Sequence, residues 1–467
     1  MRLETRGAKK AKAFWFNPVI YKTEKEPSNI ILISVDTLRA DHLGCYGYEK
    51  QTSPFIDSLA EDSVLFNNTF AASPWTLPSH MSMLTSLYTY HHQVFHKDQE
   101  LHPSITTFAE ILNKNGYYCA AFTDGGFVSG LFGFFKGFDS YRQNEMNLSS
   151  VKSAEEIHKK AKAWILENRD KRFFLFLHTY QPHDPYCSPP PYNSMFLDDH
   201  HKLFKINLGS YLGGIANIYK PLSEEERQNI IALYDAEIRY TDEALVDALI
   251  KDLKELDLYQ QSMIIFTSDH GEEFYEHQGW THGYSLYDES LRVPLIIKFP
   301  GNTYRGKRIK QYASTIDIVP TVLSILDIPY EEYAFDGMNL LEAIEGKTLK
   351  GRTIISDVAP HVLDFHNPKR IAMYRGTTKV IYNENYLQED LTFYTFPPPL
   401  VGTIEAFELS KDSHERKNIA SSQKKLIDAL LHELLALYPI AQPSHAGKAV
   451  IDEELQEQLK ALGYVQH

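Results

Sequence analysis

Several runs of apolar residues along the chain are separated by stretches in which apolar and polar positions recur at helical spacing. The clearest run extends from Asn29 to Val35 and ends at the carboxylate of Asp36. Comparable runs cover residues 173–178, 262–269 and 293–299. A near-continuous β-branched and aliphatic run of this length is typical of a strand that is covered on both faces. The runs therefore predict a buried, largely parallel sheet.

Helical patterns fill the segments between these strands. They cover residues 54–65, 104–115, 153–165 and 224–256, and a short helix with Pro320 in its first turn follows the last strand. Two of them begin with the spacing of a capping box, Ser153 with Glu156 and Ser223 with Glu226. Strands that alternate with helices predict an α/β fold in which a large mixed, mostly parallel sheet lies between helical layers.

The pattern changes near residue 350. Short strand-like pieces separated by turns follow, and after them comes a helical pattern at 421–437. We therefore expect a smaller C-terminal antiparallel sheet with a helix against it. The predicted organisation is a basic N-terminal tail at 1–27, a catalytic domain at 28–350 and a smaller α+β subdomain at 351–467. This division agrees with a chain of 467 residues, which is longer than a single growing core accommodates.

The composition is that of a globular enzyme, with 43% hydrophobic and 13% aromatic residues. The 61 acidic residues outnumber the 47 lysines and arginines, which gives a formal net charge of −14 and argues against nucleic acid as a partner. A site for an anion in such an acidic protein needs local positive charge, and a bound cation is the obvious source. The three cysteines have neither the spacing of a zinc site nor the number for a disulfide framework.

The first residues are basic, and no apolar run of signal-peptide length follows them. No other run approaches the ~20 apolar residues of a membrane span. The sequence as written therefore predicts a soluble protein without a transmembrane segment. An export signal or an anchor trimmed from it would leave the same pattern, so the compartment stays open, as does the oligomeric state.

Polar residues with metal-binding side chains stand where three of the predicted strands end. Asp36 follows the first strand, His178 and His183 follow the second, and Asp269 and His270 follow the third. Ligand sites of open α/β sheets form at this edge. An aspartate after a strand is usually a helix cap or a turn former, so each position alone is weak evidence. An adjacent Asp and His, however, can both reach one cation.

The segment from Ser73 to Thr85 combines Thr76 with Pro78 and several small hydroxyl residues, which suits a loop that enters the first turn of a helix. Thr76 would then lie at a helix N-terminus, where the helix dipole and unpaired N–H groups favour an anion and an incipient alkoxide. The alternative is that Thr76 only caps this helix. The segment alone leaves both interpretations open.

A set of motifs in a fixed order extends from residue 29 to about residue 420. They are NIILISVDTLRADHLGCYGY (29–48), TSPFIDSLA (52–60), PHDPY (182–186), YDAEIRYTD (234–242), TSDHGE (267–272), HGYSLYDESLRVP (282–294), DIVPT (317–321) and ELSKDSHERKN (408–418). Together they resemble the sulfatase family of the alkaline phosphatase superfamily. The resemblance implies the fold of that superfamily and the hydrolysis of sulfate or phosphate esters.

Members of this family hold one divalent cation at the sheet edge, in contact with the nucleophile. Carried over to this chain, the resemblance implies Asp36, Asp269 and His270 as ligands, together with the oxygen of Thr76. Oxygen ligands with one imidazole suit Ca²⁺, Mn²⁺, Mg²⁺ or Zn²⁺, and the sequence does not choose among them.

The resemblance also implies a role in catalysis for two histidines. His183, in the Pro-His-x-Pro-Tyr motif, falls at a position that contacts a substrate oxygen. His282 falls where sulfatases place a Lys or His toward the leaving group. The alternative for both is a packing or supporting histidine. An anionic sulfate or phosphate ester is the implied substrate.

Thr76 departs from the pattern of the sulfatases proper, which have Cys or Ser at this position and oxidise it to formylglycine. Thr cannot undergo that modification, and an unmodified Thr instead resembles the phosphoglycerol and phosphoethanolamine transferases of the superfamily. Other departures are His80 where sulfatases have Arg, Thr37 where a second Asp is common, and the lack of the family's Lys-x-His pair near 116–127.

These residues predict a metal-dependent hydrolase of the sulfatase family in which Thr76 attacks the ester and His282 or His183 protonates the leaving oxygen. A threonine ester lacks the geminal hydroxyl through which formylglycine expels its product, so phosphoryl transfer or phosphodiester cleavage is favoured over sulfate release. A transferase acting on lipid head groups would keep the same residues. A non-catalytic, sulfatase-like binding module would keep the same fold.

Overall fold

The computed structural model describes residues 29–144, 152–198, 205–358, 368–385, 388–399, 402–438 and 446–461. The predicted basic tail at 1–27 lies outside these residues. Within them, no helix is both long and apolar enough to cross a membrane.

The strands of the described residues are numbered in chain order. They are β1 (Asn29–Val35), β2 (Val64–Phe70), β3 (Gln99–Glu100), β4 (Tyr118–Thr123), β5 (Ser140–Gln143), β6 (Phe173–Thr179), β7 (Ser262–Thr267), β8 (Glu273–Phe274), β9 (Trp280–Thr281), β10 (Arg292–Lys298), β11 (Lys307–Ile309), β12 (Ala313–Ser314), β13 (Thr353–Val358), β14 (Arg370–Arg375), β15 (Thr378–Asn383), β16 (Ile404–Glu408) and β17 (Gly447–Lys448).

The α-helices of the same residues are numbered likewise. They are α1 (Pro54–Glu61), α2 (Thr76–Thr85), α3 (Thr89–His92), α4 (Phe108–Lys114), α5 (Ser153–Asn168), α6 (Leu208–Leu212), α7 (Glu224–Thr241), α8 (Ala248–Glu255), α9 (Asp288–Leu291), α10 (Ile318–Ile325), α11 (Leu341–Ile344), α12 (Gln388–Phe393), α13 (Lys424–Leu437) and α14 (Glu453–Ala461).

A nine-stranded sheet forms the centre of the molecule, in the order β11-β2-β10-β7-β1-β6-β4-β5, with β12 also paired to β2. Only β10 runs antiparallel to its two neighbours, and the other pairings are parallel. Strand β1 is central, with β6 on one side and β7 on the other. The predicted mixed, mostly parallel sheet is therefore confirmed.

Helices cover both faces of this sheet because each strand alternates its side chains between two apolar cores. Ile30 and Leu32 of β1 belong to a core that includes residues of α2, α4 and α10. Ile31 and Ile33 belong to a second core that includes residues of α1, α5, α7 and α8. The near-continuous apolar sequence of β1 follows from this burial on both sides.

Two helical predictions were wrong in detail. The pattern at 54–65 is a helix only to Glu61, because Val64 begins strand β2, which pairs with β10. Ser153 does not form a capping box, since its hydroxyl donates to the carboxylate of Asp124 instead. The capping box of Ser223 and Glu226 is confirmed, and the long helix that it begins passes through a π-helical segment, Asp242–Asp247, before α8.

The four strands β13, β14, β15 and β16 form a separate antiparallel sheet in that order. One face of it packs against α13 and the other against the core of the large sheet, where the rings of Tyr374 and Phe70 stack at 4.0 Å. Strand β13 is also bonded to the segment before α2, because the Asp357 amide donates to the Ala72 carbonyl at 3.0 Å. The small antiparallel sheet with a helix against it is thus confirmed, and the domain limits near residue 350 stay a prediction.

Candidate active site

Three adjacent strands of the large sheet end at the same edge, and each carries a site residue there. In the order β6-β1-β7, Ser34 lies opposite His178 on one side and Thr267 on the other. The same register, continued past the strand ends, sets Asp36 beside Asp269, and the side chain of His178 reaches Asp36 from the other side. All three side chains are completely buried.

Thr76 is the first residue of α2 and not its cap, since Trp75 occupies the N-cap position. The interpretation of Thr76 as a helix cap is therefore wrong. Its side chain is fully buried, and its Oγ1 lies 3.4 Å from Nε2 of His270. The start of α2 thus brings a hydroxyl to the edge at which the three strands end.

Asp36, Asp269 and His270 form a cluster in which one ligand atom of each lies within 4.8 Å of the others. Nε2 of His270 is 3.2 Å from Oδ2 of Asp269 and 3.9 Å from Oδ1 of Asp36. Among the described residues, these two carboxylate oxygens are buried and have no hydrogen-bond partner. A buried carboxylate oxygen without a partner is unfavourable unless a cation or a proton satisfies it.

The electrostatics of the cluster agree with a cation site. Burial raises the pKa of Asp36 well above its ordinary value, and burial followed by the charge of Asp36 does the same for Asp269. Burial lowers the pKa of His270, so its imidazole is neutral, which is the form that binds metals. Two carboxylates and a neutral imidazole fit a divalent cation, because its charge would let both carboxylates ionise.

A second group of side chains, not assigned as ligands from the sequence, shares Asp36 with this cluster. Asp36, His80 and His178 also place their ligand atoms within 4.8 Å of one another. His80 already uses both ring nitrogens, since Nδ1 lies 3.0 Å from the Thr76 carbonyl and Nε2 lies 2.9 Å from the Ser34 hydroxyl. We therefore regard His80 as a support for α2. Nε2 of His178 lies 3.4 Å from Oδ2 of Asp36, where it can orient that carboxylate.

The two histidines with an expected catalytic role lie beside the cluster. The ring of His282 is 4.5 Å from that of His270 and 4.9 Å from that of His183, measured between centroids. Burial lowers the pKa of both His282 and His183 to about 3. Nδ1 of His282 lies 3.0 Å from Oε1 of Glu272, a buried carboxylate to which the sequence assigned no role.

Comparison with known proteins defines the class. A family model described as Sulfatase matches residues 28–328, and a second, described as N-sulphoglucosamine sulphohydrolase, C-terminal, matches residues 276–438. The chain therefore belongs to the sulfatase family, and its relatives support an ester hydrolase.

Two relatives illustrate the range of that family. Arylsulfatase K of Rattus norvegicus is 24% identical over 453 residues, which cover 88% of this chain and 78% of the relative. The multifunctional alkaline phosphatase superfamily protein PehA of Trinickia caryophylli is 26% identical over 483 residues, which cover 84% of this chain and 91% of the relative.

Solved structures share the fold at low sequence identity. The phosphonate monoester hydrolase of Agrobacterium radiobacter is 20% identical, with a TM-score of 0.67 over 88% of this chain and 95% of that one. A protein solved with its substrate D-glucosamine-2-N,6-O-disulfate is 18% identical, with a TM-score of 0.70 over 94% and 98% of the two chains.

Proposed function

We propose that this protein is a metal-dependent hydrolase of sulfate or phosphate esters in which unmodified Thr76 is the nucleophile. The observation that carries the proposal is the position of its Oγ1, at the first residue of α2 and 3.4 Å from His270, beside the unpartnered oxygens of Asp36 and Asp269. The N–H groups at a helix N-terminus favour an anion at this position. The sulfatase and phosphonate monoester hydrolase relatives support the reaction class.

Asp36, Asp269 and His270 would hold the cation, with Thr76 beside it. When bound, a divalent cation lowers the pKa of a nearby hydroxyl and offsets the charge of an ester oxygen. Ca²⁺, Mn²⁺, Mg²⁺ and Zn²⁺ all remain candidates, since the donor set combines oxygen with one imidazole.

Thr76, His282 and His183 each have a separate role in the proposed reaction. Oγ1 of Thr76 gives its proton to solvent and forms a bond to phosphorus or sulfur while the bond to the leaving oxygen breaks. Burial keeps His282 neutral in the absence of substrate, but the negative charge of a bound ester favours its imidazolium, which gives a proton to that oxygen. His183, next to His282, contacts another oxygen of the substrate. In the second half, water attacks the Thr76 ester, His282 takes a proton from the water, and the Thr76 oxygen departs and takes a proton from solvent.

The chemistry of a threonine ester favours phosphodiesters over sulfate esters as substrates. Such an ester has no geminal hydroxyl, so its product must leave by direct attack of water. His80, whose pKa is lowered by burial, is neutral where the sulfatases have Arg, so this position adds no positive charge for a doubly charged phosphate monoester.

The proposal is tested by replacing the attacking oxygen. Thr76→Ala should lower the turnover of methyl 4-nitrophenyl phosphate by a factor of about 10³ or more, since only the nucleophile is lost, and Thr76→Ser should retain part of it. Thr85→Ala is the matched control, because Thr85 is equally buried on the same helix and its hydroxyl only donates to the Met81 carbonyl.

Covalent chemistry is measured directly by intact mass. Rapidly quenched wild-type enzyme should carry a phosphoryl or sulfuryl adduct on the Thr76 peptide, and added alcohol should reveal whether transfer competes with hydrolysis. Near-normal turnover by Thr76→Ala would contradict the proposal.

A further inference from the structure

We propose that Glu272 is a positioning residue of this site, which acts through His282 by fixing the orientation of its ring and its tautomer. The inference rests on the proposed function, because it assigns a partner to the proposed proton donor. Glu272 itself makes no contact with the reacting atoms.

The pairing of Glu272 with His282 follows from a short hairpin. In the antiparallel pair of β8 and β9, Glu273 lies opposite Thr281 and Phe274 lies opposite Trp280. The next residue outward on each strand is Glu272 on one side and His282 on the other. The hairpin therefore sets Oε1 of Glu272 at 3.0 Å from Nδ1 of His282.

Glu272 is held in place by two other segments of the chain. Its Oε2 accepts a hydrogen bond from the hydroxyl of Tyr186 at 3.2 Å, and its backbone carbonyl accepts one from Nη1 of Arg39 at 3.0 Å. The Glu272 side chain is completely buried. A carboxylate bonded at both oxygens has little freedom to rotate, so it fixes the plane of the imidazole that it contacts.

The bond to Glu272 determines which nitrogen of His282 can take part in the reaction. A carboxylate accepts the hydrogen of Nδ1, so Nε2, on the far edge of the ring, is the atom that exchanges a proton with the substrate.

A proton moves from His282 to the leaving oxygen in the first half of the reaction and returns from water in the second half. When the bond from phosphorus or sulfur to the leaving oxygen breaks, the electron pair stays on that oxygen and the proton of Nε2 moves to it. His282 is left neutral, with its Nδ1 hydrogen still bonded to Glu272. In the second half, Nε2 takes a proton from the attacking water, which regenerates the imidazolium.

The role of Glu272 is tested by how strongly kcat/KM depends on the leaving group. A nitrophenolate departs readily without a proton, whereas an unsubstituted phenolate needs one, so loss of the acid affects the second much more. We compare kcat/KM for methyl 4-nitrophenyl phosphate and methyl phenyl phosphate, and for the corresponding aryl sulfates. Glu272→Gln should lower kcat/KM about 10²–10³-fold for the phenyl ester and less than about tenfold for the nitrophenyl ester.

Glu273→Gln is the matched control. Glu273 is the next residue and is also buried, but its Oε1 bonds to Ser285 and Ser290 and not to His282. Its replacement should change the rates of the two esters by the same factor. Tyr186→Phe removes only the bond to Oε2 of Glu272. It should change the ratio of kcat/KM for the two esters in the same direction as Glu272→Gln, by a smaller factor. This variant keeps the test available if Glu272→Gln does not fold.

A double-mutant cycle separates positioning from general damage. In a His282→Ala background, Glu272→Gln should add no further dependence on the leaving group, since both changes remove the same function. Equal losses for both esters in Glu272→Gln and Tyr186→Phe, or additive effects in the cycle, would overturn the role of Glu272 and leave the proposed hydrolase standing. A wild-type enzyme that cleaves neither class of ester would instead contradict the proposed function.

Discussion

Asp36 and Asp269 are two buried carboxylates whose charges repel each other across the end of the sheet. Each has one oxygen without a hydrogen-bond partner among the described residues. Without a cation, the pair resists ionisation, because burial and mutual repulsion raise both pKa values. The residues that would bind the metal therefore destabilise the metal-free protein.

Asp269→Asn should abolish tight binding of the divalent cation and, with it, ester hydrolysis. The metal-free variant should nevertheless melt at a higher temperature than metal-free wild type, since the repulsion with Asp36 is removed. Elemental analysis and thermal unfolding with and without EDTA measure both effects. A metal content of one per chain in the variant would contradict the ligand assignment, and Asp170→Asn, which replaces an exposed carboxylate outside the cluster, is the control.

Single residues of the site could be predicted from the sequence to different degrees. Asp36, Asp269 and His270 directly follow apolar runs, so the strand ends pointed to them. Glu272 and Tyr186 stood inside quoted motifs, but their partnership with His282 depends on the β8–β9 hairpin and the path of a loop. Strands of two residues leave no periodic pattern, so no local signal could have revealed that contact.

The small sheet is joined to the large one by a buried ion cluster centred on Lys379 of β15. Its Nζ lies 2.8 Å from Asp288 and 2.6 Å from Glu415, and the side chains of Lys379 and Glu415 are completely buried. Tyr374 of β14 also donates to Asp288 at 2.9 Å. The ammonium group of Lys379 thus joins the small sheet to α9, beside the large sheet, and to the loop after β16.

Lys379→Met should destabilise the protein by about 3–5 kcal/mol, because the buried carboxylate of Glu415 and the partly buried one of Asp288 lose their shared cation. Denaturant unfolding measures the change, and Lys411→Met, which replaces an exposed lysine of the same part of the chain, should have an effect within about 0.5 kcal/mol. A loss below about 1 kcal/mol in Lys379→Met would mean that Glu415, whose pKa is raised to about 8 by burial, holds a proton and not a charge.

Whole elements were easier to predict than their ends. Strands β1, β6, β7 and β10 and the four strands of the small sheet follow continuous apolar patterns. The apolar spacing of α1 continues through Val64 and Leu65, the first two residues of β2, and only the pairing with β10 shows that these residues form a strand. The Ser153 capping box was displaced by a tertiary bond to Asp124, which no local spacing encodes.

Across the whole molecule, the stability should respond to pH through His277, which lies between the two sheets. Its Nδ1 pairs with Glu289, its ring stacks on Tyr287 at 3.7 Å, and Nε2 lies 3.3 Å from the carbonyl of Glu415. Burial lowers the pKa of His277, but the bond and charge of Glu289 outweigh that effect and raise it to about 9.

A histidine whose pKa is raised by folding stabilises the protein fully below its unfolded pKa of about 6.5, and this contribution disappears as the pH rises through about 9. His277→Gln should therefore cost about 1–2 kcal/mol at pH 6 and almost nothing at pH 10. The difference in unfolding free energy between wild type and variant, measured across this range, isolates the contribution of His277. A difference that does not change with pH would contradict the ion pair with Glu289.

The excess of carboxylates in the sequence also affects how fast an anionic ester arrives. A formal net charge of −14 repels such a substrate during diffusion, and a divalent cation held by Asp36 and Asp269 would offset only two of these charges. Dissolved salt weakens this repulsion over a distance of about 10 Å at 0.1 M. For an anionic ester, kcat/KM should therefore rise with ionic strength before it levels off, which is the reverse of the behaviour of enzymes that attract their substrates with a basic surface.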